Sequence, residues 1–93
     1  MKVFQSRSFD QKVKKFSKTQ KRELDEQIKR IVQDPFIGTE KKGDLRGIHI
    51  HKFKIKTTRY LLAYRMIEEN LELIMVGLHE NYYRDLKKYI KST

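Results

Sequence analysis

The spacing of apolar residues changes near residue 48 of this 93-residue chain, and that change constrains the fold more than any other feature. Before residue 35, apolar residues recur at intervals of three and four, which is typical of helices that bury one face. The residues at these positions are Phe9, Val13, Phe16, Leu24, Ile28 and Ile31. From residue 48 to residue 56, apolar and polar residues alternate instead, as in a half-buried strand. The sequence therefore predicts helices first and a sheet afterwards.

Capping and breaking signals set the bounds of the predicted helices. Ser8, followed three residues later by Gln11, has the pattern of a capping box and is predicted to begin the first helix. Ser17 with Gln20, or Thr19 alone, is predicted to begin the second helix. The second helix is expected to end at Asp34, because the residue before a proline avoids helical backbone. We therefore expect a helical hairpin between these residues.

The remaining elements complete an α+β fold. Alternation predicts strands over residues 48–56, 60–67 and 71–78, a short strand over residues 2–5 precedes the hairpin, and Asn81 is positioned to cap a final helix. We expect an N-terminal strand and a helical hairpin packed on an antiparallel sheet, followed by a short C-terminal helix, with the helices against one face of the sheet.

Composition limits what such a fold can do. Residues 1–93 are expected to form a single domain, since domains typically span about 50–250 residues. The chain carries 22 basic and 12 acidic residues, a net charge of +10, which favours a polyanionic partner. It has no cysteine, which excludes disulfides and thiolate metal sites. We find no apolar segment long enough for a leader or a membrane span, so a cytoplasmic protein without membrane contact is expected.

The charge gathers on one face of the predicted sheet. If Thr57 and Thr58 form the first hairpin turn, Lys56 faces Arg59 and Ile50 faces Arg65. The basic residues that then share this face are Lys52, Lys54, Lys56, Arg59 and Arg65, around a floor of Leu61 and Ala63. Like charges directly opposite each other destabilise a sheet, which indicates an anion-binding site. The alternative is a solvated face whose lysines prevent edge-to-edge aggregation.

His79 stands just past the end of the last predicted strand and is the candidate proton-transfer group. Cleavage of RNA needs a proton removed from the 2′-hydroxyl, a proton given to the 5′-oxygen and stabilisation of charge at phosphorus. Histidine titrates near neutrality and suits the proton transfers, whereas Tyr82 or Tyr83 could stack on a base. Alternatively, His79 only bonds to backbone at the strand end. The side chains of His49 and His51 point to the core side of the predicted strand, so both residues are predicted to be structural.

The order of the elements and four short motifs resemble the RelE/ParE toxin superfamily. The motifs are Leu45-Arg46-Gly47, His51-Lys52-Phe53-Lys54-Ile55-Lys56, Tyr60-Leu61-Leu62-Ala63-Tyr64 and Gly77-Leu78-His79-Glu80-Asn81-Tyr82-Tyr83-Arg84-Asp85-Leu86-Lys87. The resemblance covers nearly the whole chain. It implies the toxin of a type II toxin–antitoxin pair. The RelE-like branch implies metal-free cleavage of mRNA on the ribosome, and the ParE-like branch implies poisoning of DNA gyrase.

The resemblance also implies roles for individual residues. Lys52 and Lys54 match strand lysines that act as base and charge stabiliser, whereas Leu61 stands where RelE-like members usually carry an arginine. The catalytic residues expected in this chain are Lys52, Lys54, His79 and Tyr83. The expected RNA-binding residues are Arg46, Lys56, Arg59, Arg65, Tyr82 and Arg84. Arg59 or Arg65 is expected to replace the arginine missing at Leu61.

The favoured function is that of a ribosome-dependent mRNA endonuclease that inhibits translation. The alternatives are a gyrase inhibitor and a non-catalytic basic RNA-binding module. The expected partners are an acidic cognate antitoxin and mRNA on the ribosome, with contacts to 16S rRNA; operator DNA is expected to be reached only through the antitoxin. No metal ligands are expected, since no metal-binding spacing joins the three histidines, and no cofactor is expected.

Overall fold

The predicted order of elements is confirmed in a computed structural model, which describes residues 1–92. The helices are α1 (Arg7–Lys14), α2 (Lys18–Gln33) and α3 (Tyr82–Ser92). The strands are β1 (Val3–Gln5), β2 (Thr39–Glu40), β3 (His49–Ile55), β4 (Thr58–Ile67) and β5 (Asn70–Leu78). Strand β2 and a 3-10 turn at Gly43–Leu45 both lie between residues 36 and 47, where the sequence predicts only a loop. Within residues 1–92, no helix is long and apolar enough to span a bilayer.

The two N-terminal helices are held by side-chain caps. The capping box predicted at Ser17 is confirmed: Gln20 N–H donates to Ser17 Oγ at 3.2 Å, and Ser17 N–H donates to Gln20 Oε1 at 2.7 Å. The predicted cap of α1 is wrong, because the cap is Ser6 and not Ser8. Ser6 accepts the Phe9 N–H at 3.0 Å and donates its own hydroxyl to the Ile74 carbonyl. The helix therefore starts where β1 ends, and one side chain joins both to β5.

The strands form one sheet in the order β1-β5-β4-β3-β2. All neighbouring pairs are antiparallel except β1 and β5, which are parallel. That pair follows from the connectivity, because two strands joined by a tight turn run antiparallel, whereas the helical hairpin carries the chain across the sheet before it returns. A bulge between Ala63 and Tyr64 interrupts the β4–β5 pairing and leaves Ile74 without an opposite residue.

Helices cover both faces of this sheet, so the expectation of helices on one face is wrong. On the first face, α1 and α2 bury a core that includes Phe9, Leu24, Ile31, Leu62 and Tyr64. On the second face, α3 and the 3-10 turn bury a smaller core that includes Leu45, Ile50, Leu61, Ala63, Ile74 and Leu86. Hydrophobic periodicity identified the apolar side of α3 but does not say which face of a sheet a helix will cover.

The second face is divided along β3. Ile48 and Ile50 are buried under α3. Lys52 and Lys54 point to the same face of the sheet but are exposed. The apolar half of the face is therefore covered by the C-terminal helix, and the basic half remains open to solvent. The lysines of this basic half, Lys52 and Lys54, therefore form a row near the N-terminal end of α3.

Candidate functional site

The β3–β4 hairpin turns one residue earlier than predicted. Ile55 pairs with Thr58, so Lys56 and Thr57 form the turn and every facing pair shifts by two residues. Lys54 faces Arg59 and Lys52 faces Leu61, whereas a turn at Thr57 and Thr58 would place Lys54 opposite Leu61. Because the side-chain period of a strand is two, this shift leaves every residue that stays in a strand on its predicted face.

The corrected register assembles a cavity of about 550 Å³ at the open end of the second face. Its lining residues are Lys52, Phe53, Lys54, Arg59, Tyr60, Leu61 and His79. The last pair of the β4–β5 ladder joins Tyr60 to Leu78, so His79 is the next residue beyond it, beside Arg59. Three predicted cations and the predicted proton-transfer residue thus line one cavity.

The cavity is electrostatically open to an anion. Lys52, Lys54 and Arg59 are exposed, and within residues 1–92 no carboxylate forms an ion pair with any of them. Lys54 and Arg59 face each other directly, a like-charge pair that costs free energy in a sheet unless an anion neutralises it. Leu61, only 4% exposed, forms an apolar floor among these charges.

Tyr83 lies at the edge of this site. Its ring contacts the His79 ring edge-on, with centroids 5.9 Å apart. The Lys41 ammonium lies over the same tyrosine ring, 5.1 Å from its centroid. Sequence reasoning missed Lys41, because it stands in a segment without periodic pattern and only the fold brings it to α3.

Two of the predicted cations lie elsewhere. Lys56 occupies the hairpin turn with φ of 57°, so it does not extend the strand row. Arg65 is six residues from Arg59, about 20 Å along β4, and its Nε donates to Glu72 Oε1 at 2.6 Å. It does not face Ile50, because the β3–β4 pairing ends at His49 opposite Tyr64. Of the two candidates to replace the missing arginine, the structure therefore brings only Arg59 to the cavity.

Three other predicted RNA-binding residues are also outside the cavity lining. Tyr82 is only 3% exposed, and its hydroxyl donates to the Met75 carbonyl at 2.6 Å. Burial raises the pKa of Tyr82, so it is a core residue and not a base-stacking surface. Arg84 is exposed, with Nε 3.7 Å from Asp85 Oδ1. Arg46 is exposed after the 3-10 turn and is not among the residues that line the cavity.

The histidines predicted to be structural are buried on the first face. His51 Nε2 donates to Gln27 Oε1 at 2.7 Å, and burial, together with the nearby Arg30, lowers the pKa of His51. His49 stacks on Tyr64 with ring centroids 5.4 Å apart. His51 therefore joins β3 to α2, and His49 packs against the neighbouring strand β4.

Solved structures with the same fold are toxins. The isolated E. coli RelE toxin matches with a TM-score of 0.65 and 21% identity over 94% of this chain and 96% of that chain. A free mutant form of E. coli RelE matches with a TM-score of 0.71 and 17% identity, over 98% and 94%. The intact E. coli RelBE toxin–antitoxin complex matches with a TM-score of 0.66 and 20% identity, over 83% and 94%.

A search of curated proteins gives no significant match. A family model described as the ParE-like toxin of type II bacterial toxin–antitoxin systems matches residues 3–87, nearly the full length. The motifs that suggested a RelE/ParE toxin, the RelE-like fold and this family match agree. The chain belongs to the ParE-like toxin family of type II bacterial toxin–antitoxin systems.

Proposed function

We propose that this toxin cleaves mRNA bound to the ribosome and so inhibits translation. The observation that carries the proposal is the convergence of Lys52, Lys54, Arg59 and His79 on one cavity. A binding protein needs only the cations, whereas a nuclease also needs a group that transfers protons. The exposed His79 at the end of the cation row meets that need.

The reaction we propose is an attack of the RNA 2′-oxygen on the adjacent phosphorus. Lys52 accepts the 2′-hydroxyl proton as the O2′–P bond forms. Lys54 and Arg59 stabilise the negative charge on the phosphorane oxygens, the kind of preorganised stabilisation that contributes most to many enzymatic rates. His79 donates a proton to the 5′-oxygen as the P–O5′ bond breaks. The products are a 2′,3′-cyclic phosphate and a 5′-hydroxyl.

Leu61 determines how Arg59 acts in this scheme. It occupies the centre of the cavity floor, where the family resemblance leads one to expect an arginine. Arg59 is two residues away on the same face and directly opposite Lys54. We propose that Arg59 holds the scissile phosphate and that Leu61 contacts the ribose or the base, since an apolar floor cannot hold a phosphate.

The proposed partners follow from the charge and from the related structures. RelE is solved with RelB in the intact complex and with a RelBc peptide in another. A chain with a net charge of +10 favours an acidic segment of an antitoxin by the same electrostatics. We therefore propose a cognate acidic antitoxin, through which operator DNA is reached, and a cytoplasmic site of action on ribosomes, with Arg46 contacting 16S rRNA.

The test is to induce the toxin and map the 5′ ends of cellular transcripts. New ends inside coding regions are expected with the native chain, and they should be lost with Lys54→Ala. Lys18→Ala, an exposed lysine on α2 outside the cavity, is the matched control. Intact transcripts together with arrested growth would rule out the nuclease. Weakened RNA binding without any cleavage would instead support a non-catalytic binding module.

Inhibition of DNA gyrase is the second candidate. The observation that favours it is the family description, which names ParE-like toxins. A gyrase inhibitor does not require a proton-transfer group, so His79→Ala should leave its activity unchanged. A supercoiling assay with purified gyrase separates the two functions: the nuclease should not affect it, and a ParE-like toxin should.

A further inference from the structure

A second basic groove adjoins the catalytic cavity. It has a volume of about 510 Å³ and lies between the 3-10 turn and α3. Its lining includes Lys41 and Lys42 from one side, Lys87 and Tyr83 from the other, and a single acidic residue, Asp44. Three cations against one carboxylate give the groove a net positive charge.

Lys41 is the most informative residue of this groove. It is half-buried, although lysine is seldom buried without a partner. Within residues 1–92 no carboxylate forms an ion pair with its ammonium, which lies over the Tyr83 ring at 5.1 Å. A cation–π contact of this kind fixes the ammonium but does not neutralise its charge. The cation is therefore positioned and remains available to an anion.

Tyr83 connects this groove to the cavity. One tyrosine ring contacts both the His79 ring, at 5.9 Å between centroids, and the Lys41 ammonium. His79 lines the cavity and Lys41 lines the groove, so the two sites share this aromatic wall. Alternating cations and an aromatic surface are what single-stranded nucleic acid requires, since its phosphates bind the cations and its bases stack.

We propose that this groove, which we call the Lys41 groove, binds single-stranded RNA next to the scissile phosphate. The proposal rests on the proposed nuclease function and extends it, because substrate recognition then reaches beyond the cavity. One nucleotide lies in the cavity, a neighbouring base packs on Tyr83, and the following phosphates contact Lys41 and Lys87. An acidic peptide could satisfy the lysines, but it would need an aromatic residue at the right position to pack against the tyrosine, whereas every nucleotide carries a flat base.

The experiment measures binding without cleavage. A fluorescent single-stranded RNA of about ten nucleotides is titrated with purified native protein and with Lys41→Gln/Lys87→Gln, in the absence of ribosomes and across about 50 to 200 mM salt. The plot of log K against log salt has a negative slope, and each lost phosphate contact reduces its steepness by about 0.7 for single strands. The slope of the double variant should therefore be less steep by about 1.4. Its affinity at about 0.1 M salt should fall on the order of tenfold.

The matched control is Lys18→Gln/Lys21→Gln, which removes the same charge from exposed positions on α2. This control should retain the native slope, and circular dichroism should show that both double variants are folded. Equal slopes and affinities for both double variants would overturn the proposal that RNA binds the Lys41 groove, whatever the cleavage assay shows. Stronger Lys41-dependent binding of a poly-glutamate peptide than of RNA would also overturn it. Loss of cleavage with Lys54→Ala is measured separately and tests only the proposed nuclease.

Discussion

At the scale of single residues, position in the register decides what each cation does. Lys54 and Lys56 are two residues apart and have the same side-chain type, yet one lines the cavity and the other forms the hairpin turn. Arg59 and Arg65 lie on the same face of β4, yet Arg65 is bonded to Glu72. The cations proposed for chemistry, Lys52, Lys54 and Arg59, form no ion pair with a carboxylate within residues 1–92.

His79 gives the most direct test of chemistry at this scale. Replacing it by Ala should lower the rate of mRNA cleavage on the ribosome on the order of a hundredfold, since positioned acid–base groups contribute about 10²–10⁴-fold. RNA affinity should remain nearly native, because the cations are retained. The measurement is single-turnover cleavage with saturating ribosome complexes. A native rate in the variant would remove His79 from the mechanism.

Substitution of Lys56 tests the corrected register, because the two registers predict changes of opposite sign in the free energy of unfolding. With φ of 57°, it is in the left-handed region, which costs an L side chain about 1–2 kcal/mol and glycine much less. Lys56→Gly should therefore stabilise the protein by about 0.5–1 kcal/mol in urea unfolding, after the entropic cost of glycine. In the register first predicted, this residue would extend a strand and the same change would destabilise it. Thr57→Gly is the neighbouring control.

His51 makes stability depend on pH. Its pKa is lowered by burial, so the folded state favours the neutral ring. The contribution is present above the ordinary histidine value of about 6.5 and is lost as pH falls from there through the folded pKa. Unfolding in urea should therefore become easier between about pH 7 and pH 5.

His51→Gln is the control for that dependence. It should reduce the pH dependence of unfolding relative to the native chain, because glutamine does not titrate. Other titrating groups are common to both proteins and cancel in the difference. Identical pH profiles would show that His51 does not contribute.

At the scale of elements, short connections position the longer ones. The loop between α2 and β2 is fixed by Tyr64, whose hydroxyl donates to the Pro35 carbonyl at 2.7 Å and accepts the Gly38 N–H at 2.9 Å. Tyr64 is fully buried in the first-face core. The connection between α2 and the sheet edge is thus anchored from inside the protein.

Gly38 should tolerate no side chain for that reason. A Cβ there would lie 2.8 Å from Tyr64 Oη, closer than real Cβ contacts, and 3.0 Å from the Ile50 carbonyl, tighter than most of them. Gly38→Ala should therefore destabilise the protein by about 1–3 kcal/mol in urea unfolding, the usual cost of overpacking. Gly38→Ala combined with Tyr64→Phe, which removes the hydroxyl, should recover part of the steric loss. Full native stability of the single variant would contradict this packing.

The elements show how far the sequence predicts this fold. Parity placed Lys52, Lys54 and Arg59 on one face, because the alternation of a strand is strong over its whole length. The hairpin turn was displaced because Lys56-Thr57 carries none of the Gly or Asn residues that mark tight turns. The face covered by α3 and the approach of Lys41 to Tyr83 depend on tertiary packing, which periodicity does not encode.

At the scale of the whole molecule, one sheet separates two cores with different tasks. The first-face core joins the sheet to α1 and α2, and the second-face core attaches α3, which carries Tyr83 and Lys87 beside the cavity. Both cores contribute to stability, but only the second-face core holds α3 beside the cavity, so substitutions in the two layers should be distinguishable.

A pair of truncations in the two cores tests that separation. Leu86→Ala and Leu24→Ala each remove a buried side chain and should cost about 2–5 kcal/mol of unfolding free energy. Leu86→Ala should also weaken binding of single-stranded RNA, because α3 is then less firmly held, whereas Leu24→Ala should not. The measurements are urea unfolding and fluorescence anisotropy under conditions in which both variants are folded. Equal losses of RNA affinity would contradict the division of tasks.

The two-residue turn at Lys56-Thr57 has a consequence for how this protein can change over generations. Lengthening or shortening the β3–β4 hairpin by two residues keeps every lysine of β3 on the open face, whereas a change of one residue within a strand exchanges that face with the core. Insertions and deletions of even length are therefore the ones that selection can accept here. Descendants of this chain should differ in hairpin length by pairs of residues while they keep the cation row.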